Sequence, residues 1–113
     1  MELNYAREKF YLATLGLAIG VGEIRERLEG AAITLSVLRP ENLRAGLRDD
    51  FEELWHKLNA REAEIPGEGT IRATVRQLDP DDARQLAERV FEMYFAVLGI
   101  TPFGRVREDS SET

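Results

Sequence analysis

The stretch FYLATLGLAIGVGEIRERL, Phe10 to Leu28, decides how the chain folds. No residue from Phe10 to Gly22 carries a charge, and glycines stand at 16, 20 and 22. Three readings compete: a membrane segment, a phosphate-gripping loop, or a bend between two buried helices. As a helix the uncharged run would span about 20 Å, well short of the ~30 Å hydrocarbon core of a bilayer. Gly20-x-Gly22 opens like a dinucleotide fingerprint, but Arg25 occupies the place of the third glycine. The run before it has helical rather than strand periodicity, and no βαβ unit follows to hold a pyrophosphate. A Gly-x-x-x-x-Gly-Lys-Ser/Thr loop is absent as well. The bend remains, with Gly16-x-x-x-Gly20 read as a close helix approach.

Working outward from the bend, apolar residues at Leu3, Ala6, Phe10, Ala13 and Leu17 recur at helical spacing. They predict a first helix over 3–19 whose second half is apolar nearly all round, so that it is either central or covered by a partner. Ile24, Leu28, Ala31, Leu35 and Leu38 predict a second helix over 22–38, stopped at Pro40 because a residue preceding proline avoids the helical region. Leu43, Leu47, Phe51, Leu54, Trp55 and Leu58 give a third over 41–59. The breaker cluster EIPGEG, Glu64 to Gly69, precedes a short fourth helix over 70–78 with Thr70 as its cap. In LDPDD, Asp79 caps and Pro80 opens a fifth helix over 80–98, closed by Gly99. No segment alternates with the period of a strand. The predicted fold is an all-α bundle of about five helices in a single domain over 1–100, with a polar, mobile tail over 101–113.

An internal similarity runs through this plan. GVGEIR from Gly20 returns as GEGTIR from Gly67, and LRPENLRAGLRDDFEEL from Leu38 parallels LDPDDARQLAERVFEMY from Leu78. The two offsets, 47 and 40 residues, differ by nearly two helical turns, which keeps the apolar faces in phase. The expectation is two similar, proline-bent helical hairpins around a central apolar first helix.

Chemistry-bearing motifs are sparse. There is no cysteine, which removes disulfides, thiolate nucleophiles and zinc–thiolate sites and fits a reducing, cytoplasmic compartment. An N-terminus without a basic, cleavable leader points the same way. His56 is the single imidazole available to a triad, and no serine or threonine stands beside a base in a nucleophile pattern. Glu53-x-x-His56 is one half of the paired Glu-x-x-His sets of a di-iron bundle, which one subunit cannot complete and only a symmetric dimer could. No catalytic residue, metal site or cofactor is therefore expected. Fifteen basic against 21 acidic residues give a net charge of −6, which argues against direct nucleic-acid binding. Two candidate regions emerge. The paired turns, Gly20, Gly22 and Arg25 with Gly67, Gly69 and Arg72, could present helix N-terminal amides and guanidinium groups to a small anion or a partner. Phe10, Leu17, Phe91, Tyr94 and Phe95 form a candidate apolar interface.

The function expected on this basis is a non-enzymatic protein–protein interaction module of a cytoplasmic, bacterial-type protein, self-associating as a homo-oligomer, in the first instance a dimer. The alternative is a small acidic regulator or accessory subunit, antitoxin-like, of a nucleic-acid-acting system.

Overall fold

The computed structural model describes residues 3–100. They form five α-helices: α1 (Leu3–Ile19), α2 (Ile24–Leu35), α3 (Arg48–Leu58), α4 (Thr70–Gln77) and α5 (Pro80–Leu98). No strand occurs among the described residues. The fold is the all-α bundle that the periodicity predicts. The tail expected over 101–113 lies outside the described residues.

The glycine stretch is a helix–bend–helix. Gly22 adopts φ +96°, a region that disfavours any residue with a Cβ. Immediately after it, Glu23 caps α2: its carboxylate accepts from the Arg25 amide at 3.2 Å, and Glu26 reaches back to the Glu23 amide at 3.0 Å. A Cβ on Gly22 would lie 2.0 Å from Glu26 Oε1, so the bend and the cap require the same glycine. Gly16 and Gly20 do not mediate the close helix approach expected of their spacing. Nothing lies within 4 Å of where a Gly16 Cβ would sit, and a Gly20 Cβ would strike the Gly16 carbonyl oxygen at 2.4 Å. Gly20 is required by the unwinding of its own chain, whereas Gly16 is unencumbered.

The second and third helices are shorter than expected. α2 starts at Ile24 because Gly22 is not helical and Glu23 is its cap, and it ends at Leu35, where Ser36 turns its amide and hydroxyl onto the Ile33 carbonyl. The span 41–47 is not α-helical. It contains two 3₁₀ turns, Pro40–Asn42 and Ala45–Leu47, separated by extended backbone at Leu43 and Arg44. Asn42 Oδ1 accepts from the Arg39 amide at 2.8 Å, and Arg48 Nε donates to the Pro40 and Leu43 carbonyls, which fixes this tighter path. Leu38, Leu43 and Leu47 are nevertheless buried, so the apolar spacing is honoured by turns instead of a continuous helix. At the fourth helix Gly69 holds the N-cap position, and Thr70 is the first helical residue, its hydroxyl donating to Asn59 Oδ1 at 2.6 Å.

The core joins Phe10, Leu28, Leu35, Leu43, Leu54, Leu58, Val90 and Met93, with Phe10 edge-on to Phe51 at 6.3 Å. α1 packs against α2 and α5. Arg7 bonds the Val97 carbonyl and the Tyr11 ring meets that of Tyr94 at a tilt of 53°, so α1 and α5 run antiparallel. α1 is not enclosed on all sides: Ala6, Phe10 and Ala13 face inward, while Tyr11, Leu12, Leu15 and Ile19 remain exposed.

Arginines secure the helix ends. Arg27 donates to the Leu17 carbonyl in the last turn of α1 and to the Gly22 carbonyl in the bend, and Arg25 to the Leu78 carbonyl after α4. Arg7 and Arg44 bond Val97 and Ala96 in the last turn of α5. That helix closes with Gly99 at φ +80°, its amide bonded to Ala96 and the Ile100 amide to Phe95, a Schellman end. A cation there also opposes the negative end of the helix dipole.

Three substitutions test this account by thermal unfolding. Gly22→Ala forces a Cβ into positive φ and breaks the cap, with an expected loss of about 2–3 kcal/mol, or roughly 8–12 °C in midpoint for a chain of this size. Gly16→Ala, in open space within a helix, should instead gain about 0.5–1 kcal/mol. Arg44→Met, which keeps the stem but deletes the donor to Ala96, should cost about 1–2 kcal/mol.

Candidate functional site

The G-x-G-x-I-R turns meet at one cleft. α2 and α4 pack antiparallel, with Arg72 paired to Glu29 at 3.2 Å and Arg25 bonded to Leu78. Between their ends and the connecting segment 59–69 lies a cleft of about 540 Å³. Arg25, Gly67 and Arg72 of the predicted set line it, together with Glu23, Glu26, Glu29, Ile65, Pro66, Glu68, Val75 and Arg76. Gly20, Gly22 and Gly69 are not among its lining residues; they shape the backbone on either side. The two turns also differ in conformation. Positive φ falls on the second glycine of the first turn, Gly22, but on the first glycine of the second, Gly67. Likewise Phe51 is buried and its counterpart Phe91 is 42% exposed.

Electrostatically the cleft is internally matched. Arg25 Nε lies 2.9 Å from Glu23, and Arg72 binds Glu29. Arg76 forks onto Glu68 with Nε–Oε2 2.6 Å and Nη2–Oε1 3.1 Å, and also approaches Glu64 at 3.5 Å. Three guanidinium groups thus face four lining carboxylates, and an anion entering would have to displace a carboxylate from each arginine it used. The N-terminal amides of α2 are likewise taken by Glu23 and Glu26. Sequence reasoning missed Arg76 and Glu68, although the eight-residue interval between them crosses a loop–helix junction where only tertiary folding can bring them together.

This fork fastens the 59–69 segment. The Glu68 side chain is only 3% exposed, and the Glu64 amide donates to the same carboxylate at 3.3 Å. The Arg61 amide is anchored separately, on Thr74 Oγ1 at 2.9 Å. The Arg76 hydrogen bond holds the Glu68 carboxyl below the usual carboxylate range and raises Arg76 in turn.

The second candidate region changes more. Phe10 is 0% exposed and cannot belong to an interface; its ring fills the core between α1 and α3. Leu17 is packed against that core. Phe91, Tyr94 and Phe95 do form a group, with Phe91–Phe95 centroids 5.0 Å apart and Tyr94–Phe95 5.7 Å apart. Through the Tyr11–Tyr94 contact of 6.2 Å this group continues onto the outward face of α1, which carries Tyr11, Leu12, Leu15 and Ile19, the last 73% exposed. The apolar run 10–22 was legible, but which half of it faces outward depends on where α2 and α5 settle.

No helix of the described residues is long and apolar enough to cross a membrane. No group of three or more metal-ligating side chains occurs among them, and His56 lies exposed on α3. No family model, curated protein or solved structure matches the chain.

A carboxyl held below its ordinary value stabilises at all pH above the usual carboxylate range and loses that contribution as pH falls through the lowered value. Amide exchange in 61–68 should therefore accelerate relative to the core on acidification. Glu68→Gln should show the faster exchange already at neutral pH and a flatter pH dependence, and an unchanged wild-type profile would remove the fork as the fastener of this segment.

Proposed function

We propose that the chain is a non-enzymatic protein–protein interaction module that works through the α1–α5 face. The observation that carries this reading is the uncovered apolar surface made by Tyr11, Leu12, Leu15 and Ile19 with Phe91. Taking about 200 Å² for a large side chain fully in water, these five expose roughly 480 Å². That approaches the apolar share of one side of a standard interface, about 800 Å² per partner and more than half non-polar. It also lies toward the upper end of the largest patch on an ordinary monomer, ~300–600 Å². Keeping such residues in water is unfavourable, and nothing in the packing requires them: the inward face of α1 is already filled by Ala6, Phe10 and Ala13. The aromatic rings add rigid, preorganised contact area of the kind that dominates binding energy. The cleft supports a small-ligand function less well, because its charges already satisfy one another.

Ile19→Asp, at a position 73% exposed, should leave the thermal midpoint within about 2 °C, since exposed substitutions change stability by about 0.5 kcal/mol or less, whereas Leu15→Asp, at a position 37% exposed, should lower it further. Both should lose the proteins captured by the wild-type chain in its native host, while Arg72→Gln in the cleft keeps them. Equal capture by all four proteins would overturn the assignment of function to this face.

A further inference from the structure

We infer that residues 62–68 form a lid over the α2–α4 cleft, pivoting on a pinned neck and held shut by a single latch, Glu68 on Arg76. This device uses none of the residues of the α1–α5 face, and it stands or falls apart from the interaction reading.

The neck is fixed on both sides. Asn59, which follows α3, donates to the Trp55 carbonyl at 2.9 Å and accepts from the Thr70 hydroxyl at 2.6 Å. The Arg61 amide donates to Oγ1 of Thr74, a residue 2% exposed in α4. The two ends of the loop are thus tied together, the arrangement of an Ω-loop. The tip keeps its own shape. The Glu68 amide donates to the Ile65 carbonyl at 3.0 Å and the Glu64 amide to the Glu68 carboxylate at 3.3 Å, with Gly67 at φ +84° within that turn.

Nothing apolar holds the tip down. Every residue from Glu62 to Gly67 is exposed, Ile65 by 53%, so closure buries no hydrophobic side chain of the lid. Among the described residues, the hydrogen bonds from 62–68 to the helices all go to Arg76. Segments with few buried apolar contacts open locally, below the free energy of global unfolding. Here one fork governs the opening. Val75, on the same helix as Arg76, lines the cleft and is 3% exposed. Raising the lid uncovers Val75 and leaves Arg76 the one lining guanidinium without a carboxylate, because Arg25 and Arg72 keep Glu23 and Glu29.

The chain has no cysteine, so a thiol placed at Val75 reports the lid and one at Ala32, 0% exposed in α2, reports the core. In the full chain at low urea, thiol labelling of Val75→Cys should exceed that of Ala32→Cys at least about tenfold and change little with urea. Labelling of Ala32→Cys should rise steeply with urea, as global opening requires. Glu68→Gln should speed Val75→Cys labelling about tenfold, the effect of losing hydrogen bonds to a charged group, with the flat urea dependence retained. Arg72→Gln, which breaks the neighbouring α2–α4 pair, should change that rate less than about twofold. A urea slope at Val75→Cys equal to that at Ala32→Cys would overturn the lid, because only global unfolding would then expose the site. A flat slope without acceleration by Glu68→Gln would overturn Glu68 as the latch. Equal acceleration by Arg72→Gln would assign the opening to the parting of α2 from α4, and the lid would fall with it.

Discussion

The pairing of α1 with α2, around which the core is built, depends on the turn at Gly20 to Glu23. The turn has to reverse the chain within four residues while the helix on either side leaves unsatisfied backbone groups at its end. Positive φ at Gly22 supplies the reversal. Glu23 and Glu26 accept from the Arg25 and Glu23 amides where α2 opens, and Arg27 donates to the Leu17 carbonyl in the last turn of α1 and to the Gly22 carbonyl of the bend. The result is an antiparallel pair whose shared groove receives Leu28, Ala31 and Leu35 from one side and Phe10 and Ala13 from the other. α5 then closes against α1, and α3 reaches the same core through Phe51, Leu54 and Leu58. If the turn opened, the glutamate cap and the arginine clasp would be lost together, because both are built on the same few residues.

The elements most legible in the sequence were those whose local and tertiary demands agree. α1 and α5 have the predicted limits since periodicity, Asp79, Pro80 and Gly99 all specify the same ends. Leu43 and Leu47 mark where this agreement stops. Their spacing of four satisfies a helix, and it satisfies two 3₁₀ turns equally well when extended residues lie between them. What separates the two outcomes is Arg48 reaching back to Pro40 and Leu43, a bond that no apolar pattern encodes. The proline junctions illustrate the same point: Arg39 and Asp79 are both extended before their prolines, yet a nineteen-residue helix follows one and a three-residue turn the other.

The candidate regions were legible by composition and not by direction. Both G-x-G-x-I-R motifs were visible, and folding does bring Arg25 and Arg72 to one cleft. Their neutralisation by Glu23 and Glu29 depends on packing of α2 against α4. Similarly, an all-round apolar helix announces that some apolar surface needs covering, but of the adjacent residues Phe10 and Tyr11 the first is buried in the core and the second is exposed. A rotation of one residue, about 100°, separates core from surface, and only the positions of α2 and α5 fix it.

The arginines that close the helices share a property that side-chain ion pairs lack. Arg7, Arg25, Arg27 and Arg44 donate to carbonyls of residues 97, 78, 17 and 22, and 96, in each case to main chain. Every amino acid carries that acceptor, so a substitution at the receiving position leaves it in place. Mutational drift can therefore break these links from the donor end alone. Half of each contact is fixed by the polypeptide itself, which leaves residues such as Leu17 and Leu78 free to vary for packing without loosening the helix ends.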